Sequence, residues 1–380
     1  MTKRIGVLIM RLEPRHRGHN QIIQEAARQC NHLLILIGSV NRPRSVRNPW
    51  TYMERWSDLR DCLPELIPNT EFSIYPLNDY RYSNQQWVAD VENSVRHLME
   101  TNTQHFAGWS EQPILFGHTK PDTWYLNVFP HWEYRELNSG DYHSLNATEI
   151  RELMFSTLAT ELESATGDGV ISLHSKAHRE LLGLTDCSHA TFDRIDRNLI
   201  HDWRWLRDEK MRFLNYPYED TLQFNCADAI VECAGHVLTI KRGNSPGKGV
   251  HAWPGGFKNA NETFLDCIIR ELDEETNLRV PEKVLRGSIV KSKLFDDPHR
   301  GLGIPRNTVG FHFRVELDKN GEFPRVTPGD DGLEPVWLPF GEFLRTPMHD
   351  DHQDMGYDLI DIFPVPAHLD NYYVKYSKTI

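Results

Sequence analysis

Apolar residues run in two different rhythms along this chain. Near the start they form unbroken blocks: residues 5–10 (IGVLIM) and 33–38 (LLILIG) predict strands buried on both faces. Between them lie a polar turn, residues 11–19 (RLEPRHRGH), and a helical stretch to about Cys30. Strand, helix and strand joined by short links make a βαβ unit, which implies a parallel sheet. From Thr221 onward the pattern is rich in short strands. Residues 227–233 and 236–240 flank Ala234-Gly235 as a hairpin, and residues 309–316 (VGFHFRVE) predict a further strand. Leu265, Ile268, Ile269 and Leu272 recur at helical spacing and predict an amphipathic helix. Between the two regions, residues 194–200 and 203–206 show helical patterns of a connecting segment.

A chain of 380 residues exceeds one ordinary core. We expect a first domain over 1–183, a helical linker over 184–217 and a second domain over 218–380. Apolar and charged fractions of 39% and 25% are globular values. No apolar run reaches membrane-spanning length and no signal peptide is visible, so no membrane partner is expected. Six cysteines (Cys30, Cys62, Cys187, Cys226, Cys233 and Cys267) lack C-x-x-C pairing, which favours reduced thiols in a cytoplasm. A net charge of −12 argues against a nucleic-acid partner. The charge is uneven, however: residues 1–60 hold eleven Lys/Arg against four acids, which suggests a local anion site.

The densest chemistry lies in residues 256–278. Glu271, Glu274 and Glu275 stand at i, i+3 and i+4, so one helix face carries three carboxylates. Their repulsion is relieved most simply by a divalent cation with hard oxygen ligands, Mg²⁺ above all. Arg270 can orient the neighbouring carboxylates. Asn277 stands where the helix should stop, a residue type that tolerates left-handed backbone. Gly256, Glu262, Arg270, Glu271, Leu272, Glu274, Glu275 and Leu278 match the Nudix box G-x5-E-x7-R-E-U-x-E-E-x-G-U, with Asn277 in place of its second glycine. The resemblance implies an α/β/α Nudix domain with a mixed sheet. It further implies hydrolysis of a nucleoside diphosphate derivative with Mg²⁺ or Mn²⁺ as cofactor. Glu271, Glu274, Glu275 and the carbonyl of Gly255 would be metal ligands, with Glu275 catalytic and Arg270 and Glu262 in support. Residues 329–339 (GDDGLEPVWLP) resemble a segment of coenzyme-cleaving Nudix enzymes, making Asp330, Asp331 and Glu334 candidates for positioning water.

The early turn carries a second motif. His16-Arg17-Gly18-His19 falls where a helix begins at the carboxyl edge of the predicted parallel sheet, a place where free N–H groups attract anions. Gly18 permits close approach to the backbone. His-x-Gly-His after a first strand resembles the (H/T)-x-G-H nucleotidyltransferases, and residues 145–151 (LNATEIR) resemble their second signature, I-S-x-T-x-I-R. Asn146 or Thr148 can cap the helix there. Met10, Leu12 and Arg15 depart from the family's usual turn. Residues 38–51, 82–87 (YSNQQW) and 116–125 narrow the likeness to nicotinamide mononucleotide (NMN) adenylyltransferases. That likeness implies a Rossmann-like domain in which His16, His19 and Arg151 are catalytic. Arg11, Gly18, Ser39, Arg47, Asn84, Trp87 and Thr148 would bind substrate, with Asn84 and Trp87 on the nicotinamide. Together the two likenesses imply ATP, NMN, NAD and ADP-ribose as small-molecule partners, and admit assembly into a homo-oligomer. The alternatives are nicotinate mononucleotide as the first half's substrate with another nucleoside diphosphate derivative for the second, or a second half that serves as a ligand-sensing module.

Overall fold

The computed structural model describes residues 2–118, 123–137, 145–162, 170–172, 194–218, 221–329, 334–370 and 373. By contacts the chain forms two compact units, Met1–Ile200 with Val365–Ile380, and His201–Pro364. Among the described residues no helix is long and apolar enough to cross a membrane.

In the first unit, β1 (Ile5–Met10), α1 (Arg17–Ala27), β2 (His32–Ile37), α2 (Tyr52–Leu66), β3 (Glu71–Pro76), α3 (Asn84–Thr101), β4 (Ile114–Gly117), β5 (Glu133–Glu136) and α4 (Ala147–Leu162) follow in order. The five strands form a parallel sheet ordered β3-β2-β1-β4-β5. The apolar block of β2 explains the layering. Leu33, Ile35 and Ile37 pack with α1 and α2, whereas Leu34 and Leu36 pack on the other face with Val91, Val95 and Leu98 of α3. Successive side chains of a strand point to opposite faces, so a strand covered on both sides must be apolar throughout. α1 stops at Ala27, a turn earlier than the apolar pattern suggests.

Within the expected linker, β7 (Arg194–Asp196) pairs antiparallel with β6 (Val170–Ser172) before one helix, α5 (Arg197–Phe213), begins. Residues 194–196, expected to be helical, are therefore extended, because strand pairing overrides their local pattern. The expected boundary at the other end also differs. By contacts the segment that begins at Val365 belongs to the first unit. Ala367 joins its core, Ser94 Oγ bonds His368 Nδ1 at 3.0 Å, and Tyr373 meets Tyr52 edge-on.

The second unit holds β8 (Phe224–Cys233), β9 (His236–Lys241), β10 (His251–Ala252), β11 (Gly255–Phe257), α6 (Phe264–Thr276), α7 (Glu282–Gly287), β12 (Ile289–Phe295), β13 (Arg306–Arg314), β14 (Glu334–Pro339), α8 (Phe340–Phe343) and α9 (His352–Ile360). Its seven strands form one mixed sheet in which β13 runs parallel to β8 while β9, β11 and β12 pair antiparallel with their neighbours. The β8–β9 hairpin turns at Ala234 and Gly235 with φ of 43° and 76°, as a tight two-residue link requires. Ala227, Ala229 and Val231 of β8 pack on Cys267, Ile268 and Leu272 of α6. α6 is held at its start by Thr263, whose hydroxyl accepts from Asp266 N, and at its end by Asn277 in left-handed conformation, as its residue type suggests. Among the described cysteines, Cys30, Cys62, Cys226, Cys233 and Cys267 are free thiols. Cys187 lies outside the described residues.

Candidate functional sites

The strand order of the first sheet leaves β1 central, with β2 and β3 on one side and β4 and β5 on the other. Ligands of such sheets bind where the connections diverge, beyond the carboxyl ends of the central strands. A cavity of about 280 Å³ lies there, lined by Met10, Arg11, Glu13, His16, Gly18, His19, His118, Tyr125, Asn146, Thr148 and Arg151. The two sequence motifs, more than a hundred residues apart, thus converge.

The geometry fixes proton positions. The His16 backbone N–H donates to His19 Nδ1 at 3.3 Å, so in the neutral ring the His19 proton resides on Nε2, a donor for an anion. The two imidazoles pack at 3.8 Å between centroids. Asn146 accepts from Thr148 N at 2.9 Å and so is the cap that opens α4. Thr148 Oγ1 instead accepts from Arg151 Nη2 at 3.0 Å, and Arg151 Nη1 donates to the Glu13 carbonyl. Burial, with Arg11 and Arg47 nearby, pulls Arg151 down to about 10, which leaves it charged at neutral pH. Arg55, fully buried, donates to the carbonyls of Arg11 and Gly38 at 2.6 and 2.8 Å, and meets Glu13 at 3.4 Å. Burial raises the Glu13 carboxyl despite these arginines.

Other expected residues lie outside the cavity lining. Ser39 is buried with φ of 58° just past β2. Arg47 acts on Arg151 through its charge, whereas its loop neighbours Arg42 and Arg44 pair with Asp79 and Glu54. Asn84 is exposed at the first turn of α3. Trp87 packs against Trp124 and Tyr125, with centroids 5.5 and 5.2 Å away, and so adjoins the cavity through Tyr125. Arg15, a departure from the family's turn, is a core residue that grips Asp58 with Nε–Oδ2 at 2.6 Å and Nη2–Oδ1 at 3.1 Å. Of residues 116–125, which carry part of the likeness, 119–122 lie outside the described residues.

In the second unit a larger cavity, about 700 Å³, is lined by Asp228, Arg242, Trp253, Gly255, Gly256, Lys258, Glu275, Arg300, Arg306 and His349 among others. Glu275 accepts from Gly255 N at 2.9 Å. Burial, with Glu271 and Asp228 as neighbours, raises its carboxyl to about 8. Glu271 is raised in the same direction by burial. Gly256 makes room for it: a Cβ there would stand 2.6 Å from Glu271 Oε1. Arg270 accounts for the rest of the box. Its Nη1 bonds Glu271 Oε1 at 2.8 Å and Glu274 Oε2 at 2.7 Å, and its Nη2 bonds Glu262 Oε1 at 2.8 Å. Glu274, its side chain 56% exposed, is thus held by Arg270, while Glu275 reaches the cavity.

A divalent ion fits these residues. Two half-buried or buried carboxylates with raised protonation share a glycine-lined recess, and the donors are hard oxygens. Several lining residues carried no usable signal in the sequence. Asp228 looks like any polar position of an alternating strand, and Arg300 and Arg306 stand alone. Arg242 falls in a loop that reads as flexible and basic. Glu334 pairs with Lys241 at 3.0 Å on the surface, whereas Asp330 and Asp331 lie outside the described residues.

A parallel sheet with His-x-Gly-His at its switch point, followed by a mixed sheet carrying an acidic box helix, defines a nucleotidyltransferase joined to a Nudix hydrolase. Family models match accordingly: cytidylyltransferase-like over residues 11–121 and NUDIX domain over 225–359. The nicotinamide/nicotinic acid mononucleotide adenylyltransferase of Acinetobacter baylyi is 31% identical over 167 residues, 43% of this chain and 81% of that one. The ADP-ribose pyrophosphatase of Methanocaldococcus jannaschii is 45% identical over 60 residues, 16% of this chain and 36% of that one. The crystal structure of a bifunctional NMN adenylyltransferase/ADP-ribose pyrophosphatase from Francisella tularensis, in complex with AMP and a Mn ion, is 25% identical. It superposes with a TM-score of 0.75 and covers 95% of this chain and 99% of that one. The chain belongs to the mononucleotide adenylyltransferase family, in its two-domain form with a Nudix hydrolase.

Proposed function

We propose that the first unit joins NMN to the adenylyl group of ATP, releasing pyrophosphate and forming NAD, and that the second hydrolyses ADP-ribose to AMP and ribose 5-phosphate. The convergence of His16, His19, Thr148 and Arg151 on one cavity carries the first half. An oxygen of the NMN phosphate attacks the α-phosphorus of ATP, and the bond to the bridging oxygen of pyrophosphate breaks. No protein nucleophile is needed, so the residues position groups and offset charge. His19 Nε2–H and the Arg151 guanidinium donate to phosphate oxygens, Gly18 lets them approach the start of α1, and Arg11 and Arg47 add positive charge. Trp87 offers a face to the nicotinamide ring and Asn84 an amide to its carboxamide. Ser39 shapes the turn after β2.

The placement of Glu275 in the second cavity, beside Asp228 and a wall with Arg242, Arg300 and Arg306, supports the second half. Glu271 and Glu275, with Glu274 and the carbonyl of Gly255, would hold Mg²⁺ or Mn²⁺, which would neutralise a diphosphate and activate water. Arg270 and Glu262 hold the box carboxylates in place. The arginines of the wall receive the diphosphate and its flanking ribose.

The test supplies NMN with ATP and, separately, ADP-ribose, each with Mg²⁺, and identifies the products for wild type, His16→Ala and Glu275→Gln. Each variant loses one activity and keeps the other. NAD formation by His16→Ala at the wild-type rate would refute the first assignment. The name of the Acinetobacter relative covers both pyridine mononucleotides, so nicotinate mononucleotide is assayed beside NMN.

A further inference from the structure

The amino edge of the first sheet lies at the opposite end of the strands from the first cavity. There His32 opens β2 and Glu71 opens β3, paired in register across the parallel ladder. His105 comes from the turn after α3, fixed by its N–H bond to the Asn102 carbonyl at 3.0 Å. Glu71 Oε2 stands 2.7 Å from His105 Nε2 and 3.6 Å from His32 Nδ1. The three donor atoms lie within 4.8 Å of one another, and among the described residues no other trio of His, Cys, Asp or Glu does so.

The buried member is the telling one. His32 is fully buried, walled by Phe106 and Trp109. Its Nε2 pairs with Ser73 Oγ at 3.0 Å, which fixes the ring, while its Nδ1 makes no hydrogen bond and faces the carboxylate. A second polar contact that fixes a ligating imidazole is the usual arrangement at metal centres.

We propose that His32, Glu71 and His105 form a three-ligand site for a borderline divalent transition metal ion of the Zn²⁺ class. Two imidazole nitrogens and one carboxylate oxygen suit that class, whereas Mg²⁺ and Ca²⁺ prefer oxygen alone. Ligands about 2.0–2.1 Å from a tetrahedral ion stand about 3.3 Å apart, between the two separations found here. Glu71 and His105 are exposed, so both side chains can move to bring the three donors, which lie within 4.8 Å of one another, to that spacing. A fourth position is left for water. Bound there, the ion ties the β2–β3 edge to the turn after α3, and its donor set separates it from the oxygen site of the second unit.

The test titrates the 380-residue chain with Zn²⁺, and with Co²⁺ as a visible-band reporter, in excess Mg²⁺ that fills oxygen-rich sites. Wild type should bind about one equivalent more than His105→Ala, show tetrahedral Co²⁺ bands absent from that variant, and gain Tm only with its histidine in place. His105 is solvent-exposed and outside both cavities, so the variant should fold and keep both activities; Glu71→Gln provides a second, independent loss of ligand. Equal stoichiometry and spectra in wild type and His105→Ala would overturn the proposal. So would Zn²⁺ uptake that disappears in Glu275→Gln.

Discussion

The backbone N–H of Gly255 donates to the Glu275 carboxylate at 2.9 Å, and that carboxylate is raised to about 8 by burial beside Glu271 and Asp228. At pH 7 such a carboxyl is mostly protonated in the folded chain and ionised in the unfolded one, so folding must take up a proton and loses stability by it. Glu275→Gln keeps an oxygen that accepts from Gly255 and removes this titration. We expect the metal-free second unit to gain on the order of 2–3 kcal/mol at pH 7 in this variant. Stabilisation by Mn²⁺ or Mg²⁺ should vanish and hydrolysis should fall by about 10²-fold or more. Denaturant unfolding with and without chelator, set beside ADP-ribose turnover, measures both. A variant less stable than wild type without metal, or still stabilised by it, would contradict this reading.

Gly256→Ala tests the recess itself. The added Cβ would stand 2.6 and 2.8 Å from the two oxygens of Glu271, closer than real contacts allow. The carboxylate must move, costing about 1–3 kcal/mol by overpacking and about 10–100-fold in metal affinity. Mn²⁺ binding followed by electron paramagnetic resonance reports the loss directly.

Arg151 binds through a fork. Its two nitrogens engage the Glu13 carbonyl and Thr148 Oγ1. Arg151→Lys keeps the charge but offers a single point of contact, so NAD synthesis should fall by at least about tenfold. Arg151→Ala should lower it by about 10²–10³-fold. Hydrolysis of ADP-ribose by the same preparations should be unchanged.

His368 gives a pH dependence. Ser94 Oγ donates to the Asp90 carbonyl at 2.7 Å, so its bond to His368 requires the ring proton on Nδ1. Burial, with His97 nearby, lowers His368 to about 4 from an ordinary value of 6.5. The unfolded chain therefore takes up a proton first, and stability from this group falls as pH drops from 6.5 toward 4. The loss should reach about 2 kcal/mol at pH 5. His368→Asn, which can still donate to Ser94, should flatten that part of the stability profile; equal slopes in wild type and variant would exclude the effect.

Much of this was readable in the residues. The unbroken apolar blocks identified strands covered on both faces, and β2 has that environment on each side. The box helix was legible because its apolar stripe and its carboxylates keep one period, and Asn277 ends it in the backbone its type favours. What escaped were contacts made across long stretches of chain. Arg15 reads only as a departure from the family's usual turn, and only folding brings Asp58 to it. Asp228 reads as one polar position among alternating ones until β8 is packed and its outer face lines a cavity. Residues 194–196 carry a helical period but find a strand partner.

The return of Val365–Ile380 to the first unit makes the hydrolase a guest within its host's chain. Severing the polypeptide after Pro364 would leave every residue of the box and its cavity in place. Yet it would strip Ala367, His368 and Tyr373 from the synthetase, so damage done downstream of the second catalyst would be felt by the first.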